Sequence, residues 1–130
     1  MTIRTALLLA SALLAAPAAA QTRAAGLARV DAEFARTDRN ADGTVSRDEL
    51  ARRVAHLRVA GRAVTPAETK LIADRWFARA DRDHDGRVSR DEARSLFAAT
   101  FARFDTDRDG RIGPRERDAA RMALLAEATR

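Results

Sequence analysis

The chain has 130 residues, with 24 basic against 19 acidic side chains, no cysteine, no tyrosine and one tryptophan. That length suits one small domain, and the lack of cysteine excludes disulfide stapling and cysteine-ligated zinc. With so few aromatic rings to stack on bases, a nucleic-acid partner is not expected.

Residues 1–20, MTIRTALLLASALLAAPAAA, set Arg4 ahead of an apolar run and end on Ala18, Ala19 and Ala20, small residues that suit signal peptidase. The apolar stretch from Ala6 to Ala20 is shorter than the ~20 residues a membrane-spanning helix needs. A cleaved secretory leader over 1–20 is therefore expected in preference to an anchor. The mature chain, 21–130, would then work in a periplasm or outside the cell.

Beyond the leader, apolar residues recur at helical spacing and are interrupted three times by acidic turns. Leu27, Val30 and Phe34 predict a first helix, which runs into DRNADGTVSRDE at 38–49. Leu50, Val54 and Leu57 predict the next, which Gly61 is expected to end. Thr65, Pro66 and Glu68 fit a capping box that opens a helix carrying Ile72, Trp76, Phe77 and Ala80. The second acidic turn, DRDHDGRVSRDE at 81–92, follows directly. Only ARSLFAATFARF separates it from the third, DTDRDGRIGPRE at 105–116, where Pro114 suits a helix start.

These three segments follow the pattern DxDxDGxxxxxE, with Asn40 in place of the second Asp in the first copy, and hold 13 of the 19 acidic residues. A hard cation such as calcium takes six to eight oxygen ligands, and a twelve-residue loop can wrap around it to supply them. In the second copy Asp81, Asp83 and Asp85 offer carboxylates, Arg87 its backbone carbonyl with its side chain pointing away, and Glu92 a closing pair of oxygens. Gly86 permits the sharp bend, and Ser89 is placed to hold a bridging water. The first copy supplies Asp38, Asn40, Asp42, the carbonyl of Thr44, Ser46 and Glu49. The third supplies Asp105, Asp107, Asp109, the carbonyl of Arg111 and Glu116, with Gly113 where the others have serine. A bidentate glutamate favours calcium over the smaller magnesium ion.

In these residues the three segments resemble the calcium loops of the EF-hand family, and the chain is similar to small secreted or periplasmic bacterial proteins of that family. Val45, Val88 and Ile112 match the apolar β-branched residue that lets one EF-hand loop pair with another. The resemblance implies an all-α fold of helix–loop–helix repeats with calcium as the bound ion. GRAVTPAE, before the second hand, reads either as capping chemistry alone or as the rear half of a decayed fourth loop.

The twelve residues between Glu92 and Asp105 cannot hold two helices and a turn. A single helix of about fifteen residues, roughly 22 Å long, is expected to leave the second loop and lead into the third. Loops at opposite ends of one rigid helix cannot lie side by side, so the first and second loops are the expected pair. The third is left to pair with a second copy of the chain or with a partner, or to stay partly open; a helix break near Thr100 is the alternative. In the last helix Arg117 and Arg121 stand where the family is usually apolar, while Met122 and Leu125 form an offset stripe.

Outside the loops the mature chain is strongly basic and rich in arginine. Such a body can dock on an anionic envelope surface, although scattered arginines more simply make a solvated surface. His56 and His84 have no second histidine or cysteine at zinc-ligand spacing. No serine, histidine and aspartate grouping, phosphate loop or isolated carboxylate pair points to catalysis, so an enzyme is not expected. Two binding roles remain: an exported calcium buffer or calcium-stabilised module, and a calcium-triggered adaptor. A mature chain with Met122 as its one methionine favours the first, because sensor grooves are methionine-rich.

Overall fold

The structure, a computed structural model, describes residues 22–56, 58–59 and 61–128. Among these the elements run α1 (Arg23–Thr37), β1 (Thr44–Ser46), α2 (Arg47–Ala55), β2 (Arg58–Val59), β3 (Arg62–Ala63), α3 (Pro66–Ala80), β4 (Arg87–Ser89), α4 (Arg90–Phe104) and α5 (Pro114–Ala128). The expected helix–loop–helix class holds. The expected leader and Leu57 lie outside the described residues, as does the side chain of Leu125. No helix among the described residues is long and apolar enough to cross a membrane.

The chain divides into two compact units, one of Ala32–Ala93 and one of the described residues up to Asp31 and from Arg94 onward. In the first, the stripes read from the sequence bury Phe34, Leu50, Val54, Ile72 and Phe77, each contributing about 1.5–3 kcal/mol of transfer free energy. Arg47 lies over the Phe77 ring at 4.7 Å and Arg90 over Phe34 at 5.2 Å, so arginine also covers the edges of this core. Phe77 is the central aromatic residue. Trp76 is half-buried and meets it edge-on, with centroids 5.5 Å apart.

β1 and β4 pair antiparallel with Val45 opposite Val88, and both valines are buried. The first two loops therefore form the expected face-to-face pair.

Gly61 does not end α2. That helix stops at Ala55, where the His56 N–H donates to the carbonyls of Arg53 and Val54. Gly61, with φ 81, instead turns the short hairpin in which Arg58 faces Ala63 and Val59 faces Arg62. A left-handed residue is needed in so tight a turn, and glycine adopts it without strain. Thr65 then caps α3: its hydroxyl accepts the Glu68 N–H, and the Glu68 carboxylate accepts the Thr65 N–H. Arg62 grips the same carboxylate at 2.6 Å, and this bond, reinforced by the Thr65 N–H, pulls Glu68 down to about 2. Hairpin pairing and capping thus account for GRAVTPAE without a fourth loop.

In the second unit Phe97, Phe101, Phe104, Ile112 and Ala120 are buried, with the Phe97 and Phe101 rings 5.8 Å apart. α4 runs unbroken through Thr100, whose hydroxyl donates to the Leu96 carbonyl at 2.8 Å. The predicted single helix between the second and third loops is therefore present. Arg94 on α4 forks onto Asp31 of α1 at 2.8 and 2.6 Å. Gly26 of α1 is buried, and a Cβ there would run into the Phe97 ring.

Candidate metal centre

All three acidic turns adopt one backbone path. Position four is left-handed in each, at Ala41 (φ 55), His84 (φ 59) and Arg108 (φ 59), and so is the glycine at position six, Gly43, Gly86 and Gly110. The glycines take that conformation freely, whereas the other three are held in it by the loop around them. His84, as expected of position four, is exposed.

This path turns backbone N–H groups inward onto the acids. Asp38 accepts the N–H of Gly43 at 3.0 Å, Asp81 that of Gly86 at 3.0 Å, and Asp105 that of Gly110 at 3.1 Å, always through Oδ2. The closing glutamates reach back across their loops. Glu49 accepts the N–H groups of Arg39, Asn40 and Ser46; Glu92 those of Arg82 and Ser89; and Glu116 those of Thr106, Asp107 and Gly113. Bonds of this kind favour the charged carboxylate. All three glutamates are accordingly held below the usual range, chiefly by the N–H of Ser46, Ser89 and Gly113 respectively.

Ser46 and Ser89 have a role that the loop pattern does not disclose. Each hydroxyl accepts the N–H of its glutamate, Glu49 or Glu92, while the serine N–H donates back to that carboxylate. The glutamate that closes each of these loops is thus also the partner of the serine cap at the start of the helix that follows. Gly113 keeps the backbone half of this arrangement and has no hydroxyl for the other half.

The aspartates are less comfortable than the glutamates. An N–H bond from Asp85 draws Asp83 down, but desolvation and the charges of Asp85 and Glu92 outweigh it and leave Asp83 raised. Asp107 is raised in the same way: desolvation and the charges of Asp109, Glu116 and Asp105 outweigh the N–H bond from Asp109. Carboxylate oxygens of Asp81, Asp83 and Glu92 converge within 4.8 Å, as do those of Asp105, Asp107 and Asp109. Asp105 Oδ1 is moreover buried with no hydrogen-bond partner. Crowded carboxylates and an orphaned buried oxygen both want a cation, so the donor set fits a hard divalent ion. These two clusters can hold one.

The first loop differs. Asn40 replaces an acid, and its amide donates to Asp42 at 3.0 Å. Asp42 is lowered, first by the N–H and hydroxyl of Thr44, then by Asn40, with Arg87 assisting. Arg87 is the departure from expectation. Its side chain leaves its own loop, as the sequence suggests, but reaches Asp42 Oδ2 of the neighbouring loop at 3.2 Å. The pairing of β1 with β4 brings the two loops together, and the long Arg87 side chain, at the start of β4, reaches across to the acid of the partner loop. An arginine at the strand position of one loop, with an aspartate five residues into the other, is the signal that a paired reading offers.

The sequence also left the third loop without a neighbour. Arg111 in fact forms an isolated antiparallel bridge with Thr22, and the Arg23 N–H donates to the Gly110 carbonyl at 3.2 Å. No motif marks Thr22 for that role. The signal lies in the unpaired loop itself, which requires some extended segment beside it.

Comparison with curated proteins gives no significant match. The family model described as EF hand matches residues 30–55, 72–96 and 97–116, more than half of the chain. Each match includes the whole of one acidic turn. With the paired turns, the shared backbone path and the metal-ready carboxylates, this places the chain in the EF-hand family.

Proposed function

We propose that the protein binds calcium through three loops, as an exported calcium buffer or calcium-stabilised module that does no catalysis. The proposed ligands are Asp81, Asp83, Asp85, the Arg87 carbonyl and Glu92; Asp105, Asp107, Asp109, the Arg111 carbonyl and Glu116; and Asp38, Asn40, Asp42, the Thr44 carbonyl and Glu49. The observation that carries this reading is the convergence of carboxylates within 4.8 Å in the second and third loops, where desolvation and mutual repulsion raise Asp83 and Asp107, together with the unpartnered buried oxygen of Asp105. Calcium supplies the positive charge that relieves both, so binding should tighten the fold. Export is the expectation drawn from residues 1–20, and exported modules of this family bind at about 10⁻⁴–10⁻³ M.

Calorimetry should find two or three calcium sites, and chelation should lower the melting temperature. If calcium leaves the melt, the circular dichroism and the Trp76 fluorescence all unchanged, the reading is wrong.

One observation favours an adaptor instead: Met122 is 66% exposed, a large apolar side chain on α5 with no cover. Dye binding separates the two roles. A hydrophobic dye that binds more as calcium rises would indicate an adaptor exposing an apolar surface; one that binds less indicates closure of a buffer or module. Docking on an anionic envelope surface has weaker support, since Arg36, Arg47, Arg53, Arg62, Arg87 and Arg94 already pair with acids of the chain.

A further inference from the structure

We propose that Thr22 and Arg23 act as the pairing strand of the third loop and position Asp105 for the ion. The third hand is then completed by a segment of its own chain, without a second copy. The inference rests on the calcium reading and concerns how one of its sites is held in shape.

The connection is a short relay of backbone groups. Arg23 donates its N–H to the Gly110 carbonyl, and Gly110 donates its own N–H to Asp105 Oδ2 at 3.1 Å. Asp105 Oδ1, on the same carboxylate, is the buried oxygen without a partner. The residue that follows Gly110 is Arg111, bridged to Thr22, and next comes Ile112, buried at 2% exposure. Thr22 therefore does for this loop what Val88 and its neighbours do for the first. It fixes the extended segment that sets the loop's height above its ligands.

The start of α1 is built to hold that position. The Thr22 hydroxyl accepts the Ala25 N–H at 3.2 Å and its carbonyl accepts the Gly26 N–H at 3.0 Å, so the bridging residue is also the helix cap. Gly26, one turn along, meets the Phe97 ring where any side chain would collide. The Asp31–Arg94 fork fixes the same helix further on. Bridge, cap and glycine contact together leave the first turn little freedom to swing away from the loop.

The geometry offers a narrow test. Arg23 is the first residue of α1, a position where helices accept proline because its N–H lies outside the helical ladder. Arg23→Pro therefore removes the bond to Gly110 and leaves the helix able to form, whereas Arg23→Ala keeps the bond and removes only the side chain. Both are made in the full chain with Glu49→Gln and Glu92→Gln, which silence the first two loops. Calcium is titrated by calorimetry, with helix content followed by circular dichroism. Arg23→Pro should weaken the remaining site about fivefold, the loss expected for one hydrogen bond, with helix content and the Arg23→Ala affinity both unchanged. Unchanged affinity in Arg23→Pro overturns the inference. So does sedimentation showing that the silenced chain binds calcium only as a dimer, since the third loop would then take its strand from another copy. The calcium reading fails separately: if Glu116→Gln in the otherwise unaltered chain removes no site, the third loop binds no calcium at all.

Discussion

The loops at 38–49 and 105–116 have the same turn but different neighbours. The first is held by its counterpart, Val45 against Val88, in a ladder of three residue pairs. The third is held by one bridge, from Arg111 to Thr22 at the threshold of a helix. Their inner geometry nevertheless agrees. Position four stands at φ 55 and 59, the position-six glycine at φ 82 and 78, and in each the glycine N–H bonds to the first aspartate. The turn is therefore a product of its own twelve residues, while pairing depends on what the rest of the chain brings alongside. A loop can be complete as a turn and still depend on a distant strand as a site.

The sharpest way to break this comparison is to remove a ligand from the paired loops. Glu92→Gln takes away one of the closing oxygens and weakens the bonds from Arg82 and Ser89. One calcium equivalent should vanish from the isotherm while the third site keeps its affinity. Loss of the first site along with the second would show that the ladder makes the pair one binding unit. Loss of all three would contradict the separation of the third loop.

The next largest effect is expected from Ile112→Ala. This side chain is the third loop's counterpart of Val45 and Val88, and it is fully buried. Truncation should cost about 2–5 kcal/mol through lost transfer and a residual cavity, read from urea denaturation with calcium present. A cost below 1 kcal/mol would mean that the single bridge leaves Ile112 loosely packed, unlike the valines.

What the sequence disclosed follows the same division between local and distant. The turns, the capping box at Thr65 and Glu68, the buried stripe from Ile72 to Ala80 and the unbroken helix between Glu92 and Asp105 were legible because each is fixed by residues within about a dozen positions. The pairing of the first two loops was legible too, by elimination, since a rigid helix separates the second from the third. Gly61 misled because a left-handed glycine suits a helix end and a hairpin turn equally well, and only the partner strand at Arg58–Val59 decides between them. Thr22 was silent, because a single bridge uses backbone groups that every residue possesses. Arg87 was half legible: the sequence showed that its side chain leaves its own loop, and only the ion pair across the paired loops showed which acid it meets.

Arg117 tests the third hand from its other side. Its Nε and Nη2 are buried without hydrogen-bond partners among the described residues, at the helix position where an apolar residue was expected. Donors left unsatisfied in this way cost about 1–3 kcal/mol. Arg117→Met keeps the length of the stem and removes the donors, so it should raise the melting temperature of both the calcium-free and the calcium-loaded protein. A lower melting temperature would mean that the guanidinium has a role in the third hand that its surroundings do not reveal.

The smallest effect expected is the most informative about the paired loops. Arg87 contributes a positive charge to the first loop, where Asp42 is a proposed ligand, so calcium entering that loop meets an acid already engaged. The pair is largely exposed, and exposed pairs are worth about 0–1 kcal/mol. Arg87→Gln should therefore strengthen the first site by no more than about fivefold and leave the third unchanged. The sign matters more than the size. If Arg87 competes with the ion, its removal tightens the site and the gain shrinks as salt is raised, because screening already weakens the bridge. If Arg87 instead holds the Asp42 carboxylate in place for the ion, its removal loosens the site. The two outcomes differ in direction at low ionic strength, and one calcium titration of this variant decides between a tethered competitor and a strut.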